Sequence, residues 1–574
     1  MQPGTLQYPP SRPGQCLFGF CGLLLVVLFP GQLRADDGLL ALLETELNRS
    51  MQELGSQPVP PYFLAYRVAD QEQQVLAASF GALEREYQRA SRRLYVESRT
   101  GTYERDNTHA MRSDGFSWGI NYRGNWTDLP LQDDPAAIRA QIWQATDRVY
   151  QQSVEHLGKV QANTIVKVDE EDQSNDFSRE SPVTHLEPVT PLEFQAWTWQ
   201  DRVRRYSRRF AGDARILVGR VSISAEKSVQ RFVNTEGTRI RQSSRVFRLV
   251  LTAMAKADDG MELPLSRTFL ARSAAELPSD EEVMAAIDQM MALLSAMETA
   301  PIVTAYQGPV LLEGRASAVF FHELLGHRVE GHRLRREEDS QTFKRKIGER
   351  ILPPGFDVYF DPTVESHQGT SLMGSYRVDD EGVRARRVDV VSDGVLKEFL
   401  MSRIPIDGHP GSNGHGRAQT GSTPVARQSN LFVRSRQAVP AEELRRKFVE
   451  TLERQERDWG LVIRDVRGGL TSTRRTQTSA LQVVPTEVYR LYRDGREELV
   501  RGVDVIGTPL LTLSHLAAAA DSAQVFHGWC GAESGSLPVS LVAPSVLLDR
   551  LEVQRKSKSQ SRRPLLPNPV PEDQ

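Results

Sequence analysis

His322 and His327 stand five residues apart in Phe320-Phe321-His322-Glu323-Leu324-Leu325-Gly326-His327-Arg328-Val329-Glu330-Gly331-His332. On a regular α-helix that spacing turns the second ring about 140° from the first, onto a different face. Both rings can address one point only if the helix widens locally or ends between them. Gly326, without a Cβ, is a natural place for the irregularity. The apolar run Val310-Leu311-Leu312 leads in, and Gly314 to Phe321 reads as helix. Each histidine can offer a neutral ring nitrogen to a divalent metal such as zinc. Glu323, beside the first histidine and not needed as a ligand, can take a proton from a metal-bound water. The plain alternative is three polar residues on a surface helix, and the pattern alone does not choose.

At 574 residues the chain is too long for one ordinary core, so two or three domains are expected. Charged residues make up 25% and nearly balance, net −3, which argues against a dedicated nucleic-acid binder. Residues 1–35 differ from the rest. Arg12 precedes an apolar run from Cys16 to Phe29, and Ala35-Asp36-Asp37 follows, the pattern of a secretory signal. The run is shorter than the ~20 residues of a spanning helix, so no stable membrane anchor is expected. Phe20 before Cys21 fits lipoprotein processing poorly. Cleavage after Ala35 would export the protein to the periplasm or medium. Cys530 would then be the last of the three cysteines, with no internal disulfide to form.

The rest of the chain reads as α+β. Asp36 to Gln57 has the leucine spacing of an amphipathic helix, and Pro58 to Pro61 stops it. Tyr62 to Val68, Gln74 to Phe80 and Arg93 to Arg105 read as strands joined by polar turns. Phe116 to Trp126 is polar and aromatic, with a sequon at Asn125. Asp134 to Leu157 and Pro191 to Phe210 are helical by period. The second carries Arg202, Arg204, Arg205, Arg208 and Arg209, a solvated face more readily than an anion site. Four short strands between Leu217 and Ala255 suggest a meander with a turn at Glu236-Gly237. Ser279 to Met297 is a Met-rich core helix. From Ile302 short strands and Gly/Pro turns dominate, interrupted by the histidine helix and by Ala441 to Asp458. The organisation expected is a signal peptide (1–35), an N-terminal α/β domain with antiparallel strands and long helices (36–300), a β-rich C-terminal domain carrying the metal-binding helix (301–555) and a disordered tail (556–574). Glu337 to Arg350 is expected to be a solvated crossover.

His322-Glu323-x-x-Gly326-His327-x-x-Glu330-Gly331 closely resembles the metal-binding helix of the TldD/PmbA family of metallopeptidases. The resemblance continues, in the family's order, through Asp379-Asp380-Glu381-Gly382, Gly394-Val395-Leu396-Lys397, Asn413-Gly414-His415-Gly416-Arg417 and Pro424-x-x-Arg427-x-Ser429-Asn430. It ends in Trp529-Cys530-Gly531 and Pro538-Val539, so it covers about residues 300 to 550. It implies that Cys530 is the third metal ligand, and a His₂Cys set leaves zinc's fourth position for water. It further implies one zinc per active subunit, peptide substrates that are unfolded or extended, and a dimer enclosing the site, with a like chain or a family paralogue. Family members that lack these residues are inactive partners. This chain has the whole set.

Other residues are open to two readings. Glu330 either holds the second nitrogen of His327 or is a helix-surface carboxylate. His409 and His415 lie in the Gly-rich loop Gly408 to Gly421, which the resemblance places near the active site. Either can polarise a scissile carbonyl or merely decorate the loop. Arg417 and Arg427 can bind a peptide carboxylate, and His332 is left outside the set. The function expected is an exported zinc metallopeptidase working through a Glu323-activated water. The alternatives are a non-catalytic partner subunit and a hydrolase of non-peptide amides. N-terminal sequencing of the exported protein should begin near Asp36; recovery of intact Met1 or of lipid-modified Cys21 would contradict that expectation.

Overall fold

A computed structural model describes residues 37–111, 126–164, 172–335, 339, 341–473 and 481–556. The signal-like segment, Asn125 of the sequon and the tail beyond Lys556 lie outside them.

Two long hairpins build the N-terminal sheet. Where the sequence suggested two strands and a polar turn, one strand runs from Pro61 to Ser79 and pairs with Ala82–Thr100. Its polar middle stays extended because cross-strand charges hold it. Asp70 accepts from Arg92 at 2.5 Å and Arg231 at 2.7 Å, and Glu72 accepts from Lys227 at 2.7 Å. The reversal falls instead at Phe80-Gly81, with φ of 48° and 90°. In the same way the four meander strands merge into Val218–Asn234 and Arg239–Lys256, turning at Gly237 with φ 93°. Glu262–Ala271 adds an outer strand, and short strands at Trp126–Asp128 and Thr184–Leu186 complete a sheet of seven among the described residues. All its pairings are antiparallel except that of Thr184–Leu186.

Helices cover one face of this sheet. Gly38–Leu54 and Pro135–Thr164 pack on Leu64, Tyr66 and Val68 at one end of the first strand. Ala196–Arg209 and Asp280–Thr299 pack at the other end, with Met290 and Met297 in the core. Ser279 and Glu282 form a capping box at the start of the second helix. The basic helix face is solvated as expected, with Arg204, Arg205, Arg208 and Arg209 exposed, and part of it is paired. Arg205 pairs with Asp280, and Arg209 with Asp288 at 2.6 Å, so it is sewn to the acidic start and flank of its neighbour.

The C-terminal strands are longer than the sequence suggested, reaching 21 residues in Gly535–Arg555. The order Ala305–Leu312, Trp459–Thr471, Leu481–Tyr492, Val503–Gly507, Gly535–Arg555 closes on itself, because the last strand pairs again with the first. Closure removes sheet edges. Leu516–Ala532 forms a hairpin with Gly535–Arg555, and Asn430–Ser435 extends the sheet beyond it in parallel. Alternating strand residues part the ring's two faces. Val310, Leu312, Leu461, Ile463, Val546 and Leu548 share one core with the helix Gly314–Leu324. Leu311, Val462 and Leu547 pack the other way, on Leu444, Phe448 and Leu452 of the helix Ala441–Arg454. Phe343 is fully buried, so it pins the segment expected to be a solvated crossover. Among the described residues no helix is long and apolar enough to cross a membrane.

Candidate metal centre

Helix Gly314–Leu324 is apolar on nearly every side, and only Arg315 among its residues escapes full burial. Its start is capped from outside: the Arg315 N–H donates to Gln524 Oε1 at 3.2 Å. Its end falls between the two histidines. Leu325 N still bonds Phe321 O in the α pattern, but Arg328 N turns to Leu325 O, and Gly326–Arg328 is a 3₁₀ turn. Arg328 folds back to cap the free carbonyls of Glu323 at 2.7 Å and Leu324 at 3.3 Å. Gly326 opens the 3₁₀ turn, where the irregularity was expected, and it has a second role. A Cβ there would collide with the Gln428 carboxamide, whose Nε2 donates to His322 O at 3.4 Å.

The break swings His327 towards His322, with ring centroids 4.8 Å apart. Cys530 joins them from the hairpin Leu516–Ala532, its Sγ 3.4 Å from His327 Nε2. Ligand atoms of His322, His327 and Cys530 all lie within 4.8 Å of one another, and all three residues are buried. The Sγ–Nε2 distance is close to the ~3.4–3.6 Å edge of a zinc tetrahedron with bonds of about 2.0–2.3 Å. His322 Nδ1 is buried without a hydrogen-bond partner. Two imidazoles and a thiolate around a common point are a donor set that fits zinc.

The charges support the thiolate. Burial opposes ionisation, but His327, His322 and Arg427 hold the Cys530 thiol well below its ordinary range. Burial likewise works against a charged His327, and the Cys530 and Glu330 beside it win, raising its affinity for a proton. Glu330 resolves to the buried alternative: its Oε2 lies 3.2 Å from His327 Nδ1 and accepts from Arg333 Nε at 2.8 Å. Burial would raise its carboxyl, yet His327 and Arg333 bring it down to about 2, so it stays ionised. Arg333 continues to Glu533 at 2.8 Å, and Glu533 also pairs with His332. His332 is therefore in the surrounding network and not in the trio.

Glu323 is buried at 5% exposure, its side chain against the backbone of Gly469. The residues of the Gly-rich loop are placed otherwise. His415 is fully buried, its nitrogens engaged with Asn413 and with Ser429 at 3.2 Å, and burial pushes its pKa down to about 3. It braces the loop and presents no free nitrogen to a substrate. His409 sits on the loop's rim, 3.3 Å from Asp407 O and edge-on to Phe399. Arg417 donates to Gln428 O at 2.6 Å and lines a cleft of about 460 Å³ against the N-terminal sheet. That cleft is reached by Trp529 but by none of His322, Glu323, His327 and Cys530. Arg427 is 1% exposed and occupied by the Cys530 hairpin, so the peptide-carboxylate role considered for it is withdrawn. Gln428, Gly469 and Glu533 gave no signal in the sequence. Each is defined by what it meets in space.

Among the described residues, His322, His327 and Cys530 form one buried cluster that could hold a metal ion, carried on a helix end and a hairpin of the closed β ring. Residues 305–555 match the family described as PmbA/TldA metallopeptidase C-terminal domain. A metalloprotease of Methanocaldococcus jannaschii is 26% identical over 328 residues, covering 57% of this chain and 68% of that protein. A zinc metalloprotease TldD homologue of Saccharolobus solfataricus is 25% identical over 248 residues, 43% of this chain and 51% of the relative. The crystal structure of TldE from Thermococcus kodakarensis superposes with a TM-score of 0.61, covering 89% of this chain and 100% of its own, at 14% identity. That last likeness concerns the fold, and it takes in the N-terminal half that the sequence motifs left out. Residues 305–555 therefore carry the C-terminal domain of the TldD/PmbA family.

Two variants probe this geometry. A Cβ on Gly469 would sit 2.8 Å from Glu323 Oε1, so Gly469→Ala should displace the carboxylate. Peptide turnover is expected to fall ~10-fold or more with zinc stoichiometry unchanged; wild-type turnover would show that Glu323 does not depend on this space. Cys530→Ser should bind zinc more weakly and lose the extra thermal stability that zinc confers, because only the native state assembles the trio. Melting curves with and without chelator check it, and full zinc occupancy in the serine protein would remove Cys530 from the site.

Proposed function

We propose that this chain is a catalytic zinc-dependent metallopeptidase that hydrolyses peptide bonds in unfolded or extended chains. The observation that carries the reading is the convergence of His322, His327 and Cys530 within 4.8 Å, with Glu323 following His322 in sequence. The names of the relatives support the peptidase class. His322, His327 and Cys530 would hold the ion. Zinc so bound supplies a Lewis acid for the peptide carbonyl and a lowered pKa for water.

The chain's own groups supply the rest. The Glu323 carboxylate accepts the proton of the attacking water as its oxygen adds to the carbonyl carbon. When the C–N bond breaks, the same carboxyl returns that proton to the departing amine. The Glu323 side chain packs against Gly469, and Arg328 anchors its backbone carbonyl. Glu330 orients His327 through Nδ1, leaving Nε2 towards the common point.

The reading includes export after cleavage near Ala35 and a paired assembly. The partner would be a second copy of the chain or an inactive paralogue. The presence of Glu323 with all three ligand residues favours the catalytic over the partner role. Glu323→Gln preserves size and the ligand set while removing the base. Zinc content should stay near wild type and turnover of a mixed peptide library, followed by mass spectrometry, should fall ~10²-fold or more. Cleavage at the wild-type rate would end the water-activation mechanism.

A further inference from the structure

Arg427 is a fully buried guanidinium outside the ligand trio that touches both halves of it. Its Nη2 donates to Cys530 O at 2.6 Å and approaches Cys530 Sγ at 3.3 Å. Its Nη1 donates to Ser534 Oγ at 2.7 Å and to Gly535 O at 3.0 Å, across the turn of the hairpin that carries the cysteine. Its Nε faces Glu330 Oε1 at 3.6 Å as an ion pair, and neither atom has a hydrogen-bond partner. Glu330 in turn holds His327. The Arg427 backbone is itself fixed, its N–H bonded to His415 O at 2.9 Å. The side chain thus spans the helix end with His327 and Glu330 and the hairpin with Cys530, while its backbone is tied to the loop braced by His415.

A fork of this shape has a use that a point charge would not have. Two strands of a hairpin can slide or twist by a fraction of an ångström at their turn, and Cys530 lies close to that turn. Three acceptors on the hairpin, taken up by one planar guanidinium, fix its turn against the end of the site helix. Lysine could supply charge to a thiolate but could not reach Cys530 O, Ser534 Oγ and Gly535 O together.

We infer that Arg427 is the positioning residue that registers the Cys530 hairpin against His327, and that zinc affinity depends on its fork geometry. This rests on the proposed His322–His327–Cys530 zinc site.

The test uses the full chain, loaded with zinc or with Co²⁺. Arg427→Lys should lower zinc affinity, measured by competition with a chromophoric chelator, ~10- to 100-fold. The thiolate-to-cobalt charge-transfer absorption of the Co²⁺ form should weaken as well. Ser534→Ala, which removes one anchor without touching the ligands, should move both readouts the same way by a smaller factor. A general loss of stability would lower the melting temperature of the metal-free protein but leave the thiolate–cobalt absorption of the loaded protein intact, and that result would overturn the inference. So would wild-type zinc affinity and absorption in both variants. If Arg427→Lys does not fold, Ser534→Ala decides on the same readouts. Failure of the underlying reading looks different: wild-type protein with no thiolate–cobalt absorption would remove the metal site itself.

Discussion

The approach of Cys530 Sγ to His327 Nε2, 3.4 Å across 203 residues of sequence, is the contact on which the proposed chemistry depends. It joins a helix end to a hairpin, and neither can bring a metal site into being alone. The contact exists because the ring of strands closes. Gly535–Arg555 pairs with Ala305–Leu312 on one side and with Val503–Gly507 on the other, and its N-terminal part forms the hairpin with the cysteine strand. The site helix follows directly from Ala305–Leu312, so closing the ring sets the distance between helix and hairpin. Packing in a close-filled core makes that distance stiff.

Around this contact the fold spends its buried polar groups. Arg328 caps the helix, Gln428 meets the His322 carbonyl, Glu330 holds His327, and Arg333 ties Glu330 to Glu533. Buried charges tolerate such a setting only when paired and hydrogen-bonded. The pairing also orients the His327 imidazole and the Cys530 side chain.

The N-terminal sheet reaches the same region through loops. Gln230 and Arg67 hold Asp380, at 2.9 Å to its carboxylate and 3.3 Å to its carbonyl, and Asp380 accepts from Ala418 N at 2.8 Å. Arg417, next in the chain, bonds Gln428 O, and Gln428 bonds the His322 carbonyl. The Asp379-Asp380-Glu381 stretch is thus a structural anchor. Asp379 accepts from Glu381, Val383 and Gly416 N–H groups.

The helix end between His322 and His327 was legible in the sequence, because a five-residue spacing admits few backbones that face both rings one way. The helices Gly38–Leu54, Asp280–Thr299 and Ala441–Arg454 were legible too, since apolar period and caps act locally. Cys530 could be attached to the histidines only through family resemblance. Composition and spacing say nothing about a partner two hundred residues away. The strands were read too short. Asp70 and Glu72 look like turn residues until Arg92, Arg231 and Lys227 stand opposite them. Gly326, Gly469 and Arg427 are the clearest tertiary decisions. Their roles are set by the atoms that approach them: a carboxamide, a carboxylate and a hairpin turn. Local propensity determines where a helix can end; only the closed ring determines what meets it there.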